Sequence, residues 1–128
     1  MSMVLPNATR EALITAFGAL VDSGAGAGTG EFQLPAGTEV ATVTFSDPAF
    51  ASYTNGVGTF DTVTGDASAT GNAAAVTKFV IKNSTGTVIA TLSVGLEGSG
   101  EDVEISNTTI GAGEGVDITS GTVTMPAS

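Results

Sequence analysis

The sequence predicts a mainly β fold, an antiparallel β-sandwich of jelly-roll or immunoglobulin-like type carrying one N-terminal α-helix. Three observations lead there. From Glu31 onward apolar and polar residues alternate with period 2, most clearly over residues 39–45 and 88–94. About seven or eight such short runs are separated by turns rich in Gly, Pro, Asn and Asp, the pattern of a sandwich. Helical spacing occurs in only one stretch, residues 7–23.

That stretch comes first in the chain. Pro6 cannot extend a helix backward, and Asn7 is a suitable cap. Leu13, Phe17, Leu20 and Val21 recur at i, i+4, i+7 and i+8 with Ile14 beside them, making one apolar stripe. Gly24 is placed to end the helix in a left-handed conformation. The stripe has two readings: it closes an open end of the β core, or it docks on a neighbouring subunit.

Gly24-Ala25-Gly26-Ala27-Gly28-Thr29-Gly30 has almost no side-chain volume and reads as a flexible linker. It does not cradle phosphate. Glu31-Phe32 follows where a P-loop has its Lys and Ser or Thr, and a helix rather than a buried strand precedes it. The expected organisation is therefore a helical arm (1–23), a linker (24–30) and a β-sandwich domain (31–128).

Within that domain, residues 31–34 form a short strand ended by Pro35-Ala36-Gly37. In 39–45, Ala41, Val43 and Phe45 share one face and Val40, Thr42 and Thr44 the other. Asp47-Pro48 breaks the run, which leaves Phe50 and Tyr53 in a loop plugging the sandwich edge. Strands follow at 57–63, at 67–70 and at 76–82, where Phe79 and Ile81 face one way and Lys78, Val80 and Lys82 the other. Asn83-Ser84-Thr85-Gly86 is a hairpin turn. The return strand sets Val88, Ala90, Leu92 and Val94 inward. A polar loop at 95–102 precedes a strand at 103–105, and the last segment is 116–125. There Val116 and Ile118 have one parity and Val123 and Met125 the other, so a bulge near Ser120-Gly121 is expected.

Composition restricts the function classes. The 128 residues include no His, Cys or Trp and carry a net charge of −10. The usual general base, thiol nucleophile and transition-metal ligands are missing. Arg10, Lys78 and Lys82 are the only cations, too few and too scattered for nucleic acid or an anionic membrane surface. No run approaches the roughly 18 apolar residues of a membrane span. The start lacks a basic n-region, so the expected product is unprocessed and made in the cytoplasm. Six Phe and one Tyr imply a thin core that leans on oligomerisation or on a larger assembly.

Carboxylates are the one abundant titratable group. Glu97, Glu101, Asp102 and Glu104 cluster in a loop, but a glycosidase pair flanks a cleft, usually beside sugar-stacking aromatics. The glycine-rich run from Glu97 to Asp102 offers oxygen ligands to Ca²⁺ without the EF-hand spacing; a solvated hairpin tip is the plainer reading. Ser and Thr are plentiful, yet none has a His partner or a Gly-x-Ser-x-Gly elbow. The expectation is no enzyme activity and no cofactor.

Several stretches together resemble a known family. They are Leu5-Pro6-Asn7-Ala8-Thr9-Arg10-Glu11-Ala12-Leu13, Ala41-Thr42-Val43-Thr44-Phe45-Ser46-Asp47-Pro48-Ala49-Phe50 and Ile105-Ser106-Asn107-Thr108-Thr109-Ile110-Gly111-Ala112-Gly113. Val116-Asp117-Ile118-Thr119-Ser120 and Val123-Thr124-Met125-Pro126-Ala127 complete the set. In order along nearly the whole chain, these resemble small virion structural proteins of tailed bacteriophages. The resemblance implies a virion location and a capsid decoration (cement) role on the outer surface of the head lattice. The implied partners are the major capsid protein or other virion proteins. A homo-oligomer is also implied, a trimer suiting threefold lattice positions. The long Gly-Ala run and Gly121 depart from the pattern. Leu13, Ile14, Phe17, Leu20 and Val21 are the expected partner-binding residues. The alternatives are a tail- or fibre-associated virion protein, or a carbohydrate-binding β-sandwich adhesin with Ca²⁺ in the loop from Glu97 to Asp102.

Overall fold

A computed structural model describes residues 3–118 and 121–126. The chain begins with helix α1 (Asn7–Val21) and continues through β1 (Thr29–Gln33), β2 (Glu39–Thr44), β3 (Phe50–Thr54) and β4 (Val57–Phe60). β5 (Lys78–Lys82), β6 (Val88–Leu96), β7 (Val103–Ile105) and β8 (Thr122–Thr124) follow. Among the described residues these strands make two sheets, in the orders β2-β1-β5-β6-β7 and β3-β4-β8. The mainly β, sandwich-like class with one helix is as the sequence predicts.

The larger sheet is built around β1, whose register against β5 sets Phe32 opposite Phe79 with their ring centroids 4.9 Å apart. The Phe79 ring covers Gly30, where a Cβ would lie 2.7 Å from Cε1, so any other residue at this interior strand position must displace the ring. Thr29 and Gly30, expected in the linker, therefore belong to the sheet. Ala41 and Val43 point inward as the alternation predicts, but Val40 is fully buried as well. A register shift explains it. Phe32 pairs with Ala41 and Gln33 with Glu39, so Val40 is the extra residue of a bulge and turns in beside Ala41.

Other differences have equally local causes. Phe50 and Tyr53 lie on a strand, because β3 and β4 pair through the tight Asn55-Gly56 turn, both residues having positive φ. Residues 67–70 form no strand; beyond β4 the pairing continues as the isolated Thr44–Thr64 and Asp66–Val116 bridges. The Asn83–Gly86 turn forms as expected, closed by the Gly86 N–H donating to the Asn83 carbonyl at 3.0 Å. In β6 Val88 is exposed, whereas Ile89 packs against the core. β6 and β7 run parallel, the one departure from antiparallel pairing between the strands. Of residues 116–125, Thr122–Thr124 is strand. The expected bulge involves Ser120, which lies outside the described residues.

The core is aromatic in the middle and aliphatic around it. Phe60 stacks on Phe45 at 4.8 Å and on Phe50 at 4.5 Å, and Phe50 also meets Tyr53 and Phe17. These rings join the helix, the smaller sheet and the end of β2 into one cluster. Among the described residues no buried side-chain nitrogen or oxygen lacks a hydrogen-bond partner.

Candidate interaction surfaces

The apolar stripe of α1 divides in two. Ile14 and Val21 are fully buried and Phe17 is half-buried, its ring 6.2 Å from that of Phe50. Gly18 lies under Tyr53 and Phe50, where any side chain would collide with the Tyr53 ring. Burial, and secondarily the Asp22 charge, pushes the Tyr53 hydroxyl above the ordinary tyrosine range. Leu13 and Leu20 instead remain 42% and 54% exposed, one heptad apart on the outer face. Met3 and Val4, just before the helix, are exposed at 66% and 78%. The expectation of five partner-binding residues is corrected accordingly: Ile14 and Val21 belong to the chain's own core, and Leu13 and Leu20 are open to a partner.

The helix is also pinned, and this corrects the image of a tethered arm. Pro6, not Asn7, holds the cap position, with extended backbone and no side-chain cap bond. Asn7 begins the helix, its Oδ1 accepting from Arg10 Nη1 at 3.3 Å. Arg10 Nε donates to the Met125 carbonyl at 2.9 Å, and Asp22 Oδ1 accepts from the Ala49 N–H at 2.8 Å. Asn83 Nδ2 donates to Ser23 Oγ, and Ser84 Oγ donates to the Ser23 carbonyl. Gly24 has the expected left-handed φ, although the helix ends earlier, at Val21. Even the glycine run is held, since Gly28 accepts from the Phe45 N–H at 3.0 Å.

A second surface opens between the sheets. A cleft of about 670 Å³ is floored by Phe45, Phe60, Phe79, Ile81 and Leu92 and walled by Val103, Ile105, Val116, Ile118 and Val123. It includes no residue of α1. Its walls are residues that pack against the core and yet stay half-exposed. Glu97, Asp102, Glu104, Glu114 and Asp117 also border it, all solvent-exposed.

Of the carboxylates in and beside the loop from Glu97 to Asp102, Asp102 and Glu104 are turned to protein donors. Glu104 accepts from the Gly98 N–H at 3.0 Å and the Gly100 N–H at 2.8 Å, and these bonds hold its carboxyl below the ordinary glutamate range. Asp102 accepts from both the N–H and the hydroxyl of Ser93 at 3.1 Å. Among the described residues no group of three or more Asp or Glu has metal-binding geometry. Nor is any Phe or Tyr there fully exposed to stack on a sugar.

Comparison with protein-family models, with curated proteins and with solved structures finds no match to this chain. Sequence reasoning missed the cleft. The available signal was the parity of Val103, Ile105, Val116, Ile118 and Val123, which marks them inward without saying whether anything covers them.

Proposed function

We propose that this chain is a non-enzymatic structural protein of a tailed-bacteriophage virion, a decoration (cement) protein on the outer surface of the head lattice. It is made in the host cytoplasm and carried on the particle. It meets the major capsid protein as a homo-oligomer, and a trimer is the form that fits threefold lattice sites. The body is a sandwich of the jelly-roll or immunoglobulin-like kind, a finer assignment that its two layers of short strands support.

The observation that carries this reading is the exposed apolar set Met3, Val4, Leu13 and Leu20, two of them on a helix fixed to the β body by hydrogen bonds at both ends. Rigid apolar side chains held in water are what a repeating lattice contact uses. The end-to-end resemblance of the sequence stretches to phage virion proteins supports the same reading.

Two measurements test it. Quantitative mass spectrometry of purified virions should find this chain at a copy number on the order of hundreds, as a lattice component requires. A handful of copies would move it to the tail or fibres, and absence would end the virion reading. The double substitution Leu13→Asp with Leu20→Asp should abolish particle binding and cost only about 1–2 kcal/mol of stability, from partial burial and the lower helix propensity of Asp. Retained binding would remove the helix from the interface.

A further inference from the structure

We propose that the cleft between the two sheets is a strand-accepting site for an extended, cationic segment of a partner polypeptide. The segment would have apolar residues at alternate positions and flanking Lys or Arg. This does not depend on the virion reading or on the exposed face of α1, since it rests on different residues.

Three observations converge. First, apolar side chains floor and wall the cleft beneath its polar rim. Val103, Ile105, Ile118 and Val123 pack against the core and remain only partly buried, so an occupant that covers them gains hydrophobic free energy. Second, the two strands beside the opening are both sheet edges: β7 ends the five-stranded sheet and β8 the three-stranded one. An edge strand presents unpaired N–H and C=O groups, and an incoming strand satisfies them while every second side chain drops into the cleft. A lipid tail or small apolar molecule uses the floor but leaves that backbone row unused.

Third, charge selects the occupant. Five carboxylates border the opening, and no Lys or Arg is among the described lining residues. Only Glu104, Asp102 and Glu114 are engaged with protein donors; no such bond involves the side chain of Glu97 or Asp117 among the described residues. Such a rim repels fatty-acid carboxylates and acidic peptides and draws cations. A second copy of this chain fits poorly, because it has a net charge of −10 and three cations in all. Of those three, Arg10 is bonded to Met125 and Lys82 to Glu31. The partner is therefore a different, basic protein.

The test uses the full chain and a short synthetic peptide alternating Val and Thr, with lysines at both ends. Binding is followed by fluorescence anisotropy, and the amides protected from hydrogen exchange are mapped. The lysine-flanked peptide should bind and protect amides of β7 or β8, weakening as salt rises. The glutamate-flanked version should bind at least about tenfold more weakly. The variant combining Glu97→Lys and Asp117→Lys should lose affinity for the lysine-flanked peptide by a similar factor while melting as the parent does. Equal binding of both peptides, no binding, or protection confined to α1 would overturn the proposal. So would self-association that protects the same amides without peptide. Copy number on virions bears on none of these outcomes, so this inference and the decoration reading stand or fall separately.

Discussion

On the helix side of the sandwich, Ile14 and Val21 are fully buried against Phe50 and its neighbours, and hydrogen bonds at both ends of α1 fix it there. On the β7–β8 side, the same kinds of side chain, Val103, Ile105, Ile118 and Val123, are only partly buried around an open cleft. Both sides have inward-facing aliphatic residues. What differs is whether this chain supplies the cover. The helix completes one side, while the other keeps its edge strands and a carboxylate rim. Core-type residues left wet beside unpaired strand edges mark a surface finished by another molecule.

Truncation on the two sides should break this comparison most sharply. Ile14→Ala leaves a cavity among buried rings and should cost about 2–5 kcal/mol. Ile118→Ala widens a space already open to water, so it loses transfer energy from partial burial with little cavity penalty, about 1 kcal/mol. Urea denaturation of the two variants decides the matter. Equal losses would mean that the cleft closes in solution and that the two sides are alike.

The next largest effect concerns the centre of the larger sheet, which both sides share. Gly30→Ala sets a methyl group into the Phe79 ring, which is itself wedged against Phe32. Phe32 is fully buried, so the Phe79 ring must shift, and overpacking of this kind should cost about 1–3 kcal/mol. A melting temperature unchanged by the substitution would show that the rings give way more easily than their burial implies.

How much of this was legible beforehand follows from the same residues. The helix was visible because Leu13, Phe17, Leu20 and Val21 fall on one stripe. Its division was not, since periodicity marks a face and Gly18 decides how closely that face approaches Phe50 and Tyr53. The alternation in β2 and β5 placed Val43, Phe79 and Ile81 correctly. Val40 was misplaced because a bulge depends on cross-strand register, a long-range property. Phe50 and Tyr53 have no strand signal in the sequence because Asp47-Pro48 hides the strand that Asn55-Gly56 turns back. The parallel pairing of β6 with β7 had no local signature, since direction depends on how residues 97–102 fold back. For the sites, the sequence identified Leu13 and Leu20 together with their buried neighbours, but it could not reveal that the sandwich is left open.

The smallest expected effect lies at the rim of that opening. Two backbone N–H bonds from Gly98 and Gly100 favour the charged form of Glu104, so its folded pKa lies below that of an ordinary glutamate. The sign follows from linkage. A depressed carboxylate contributes its stabilisation above the ordinary glutamate range and loses it as pH falls through the folded value. Because this side chain is wholly exposed to solvent, the loss is local: the turn joining β6 to β7 loosens while the helix side is untouched. In an NMR titration the amide protons of Gly98 and Gly100 should move together, with a midpoint below the ordinary glutamate range. Glu104→Gln should remove that step. A midpoint at or above the ordinary range would mean that the two amides do not hold the carboxylate in solution, and that the rim keeps its shape by the Asp102–Ser93 bonds alone.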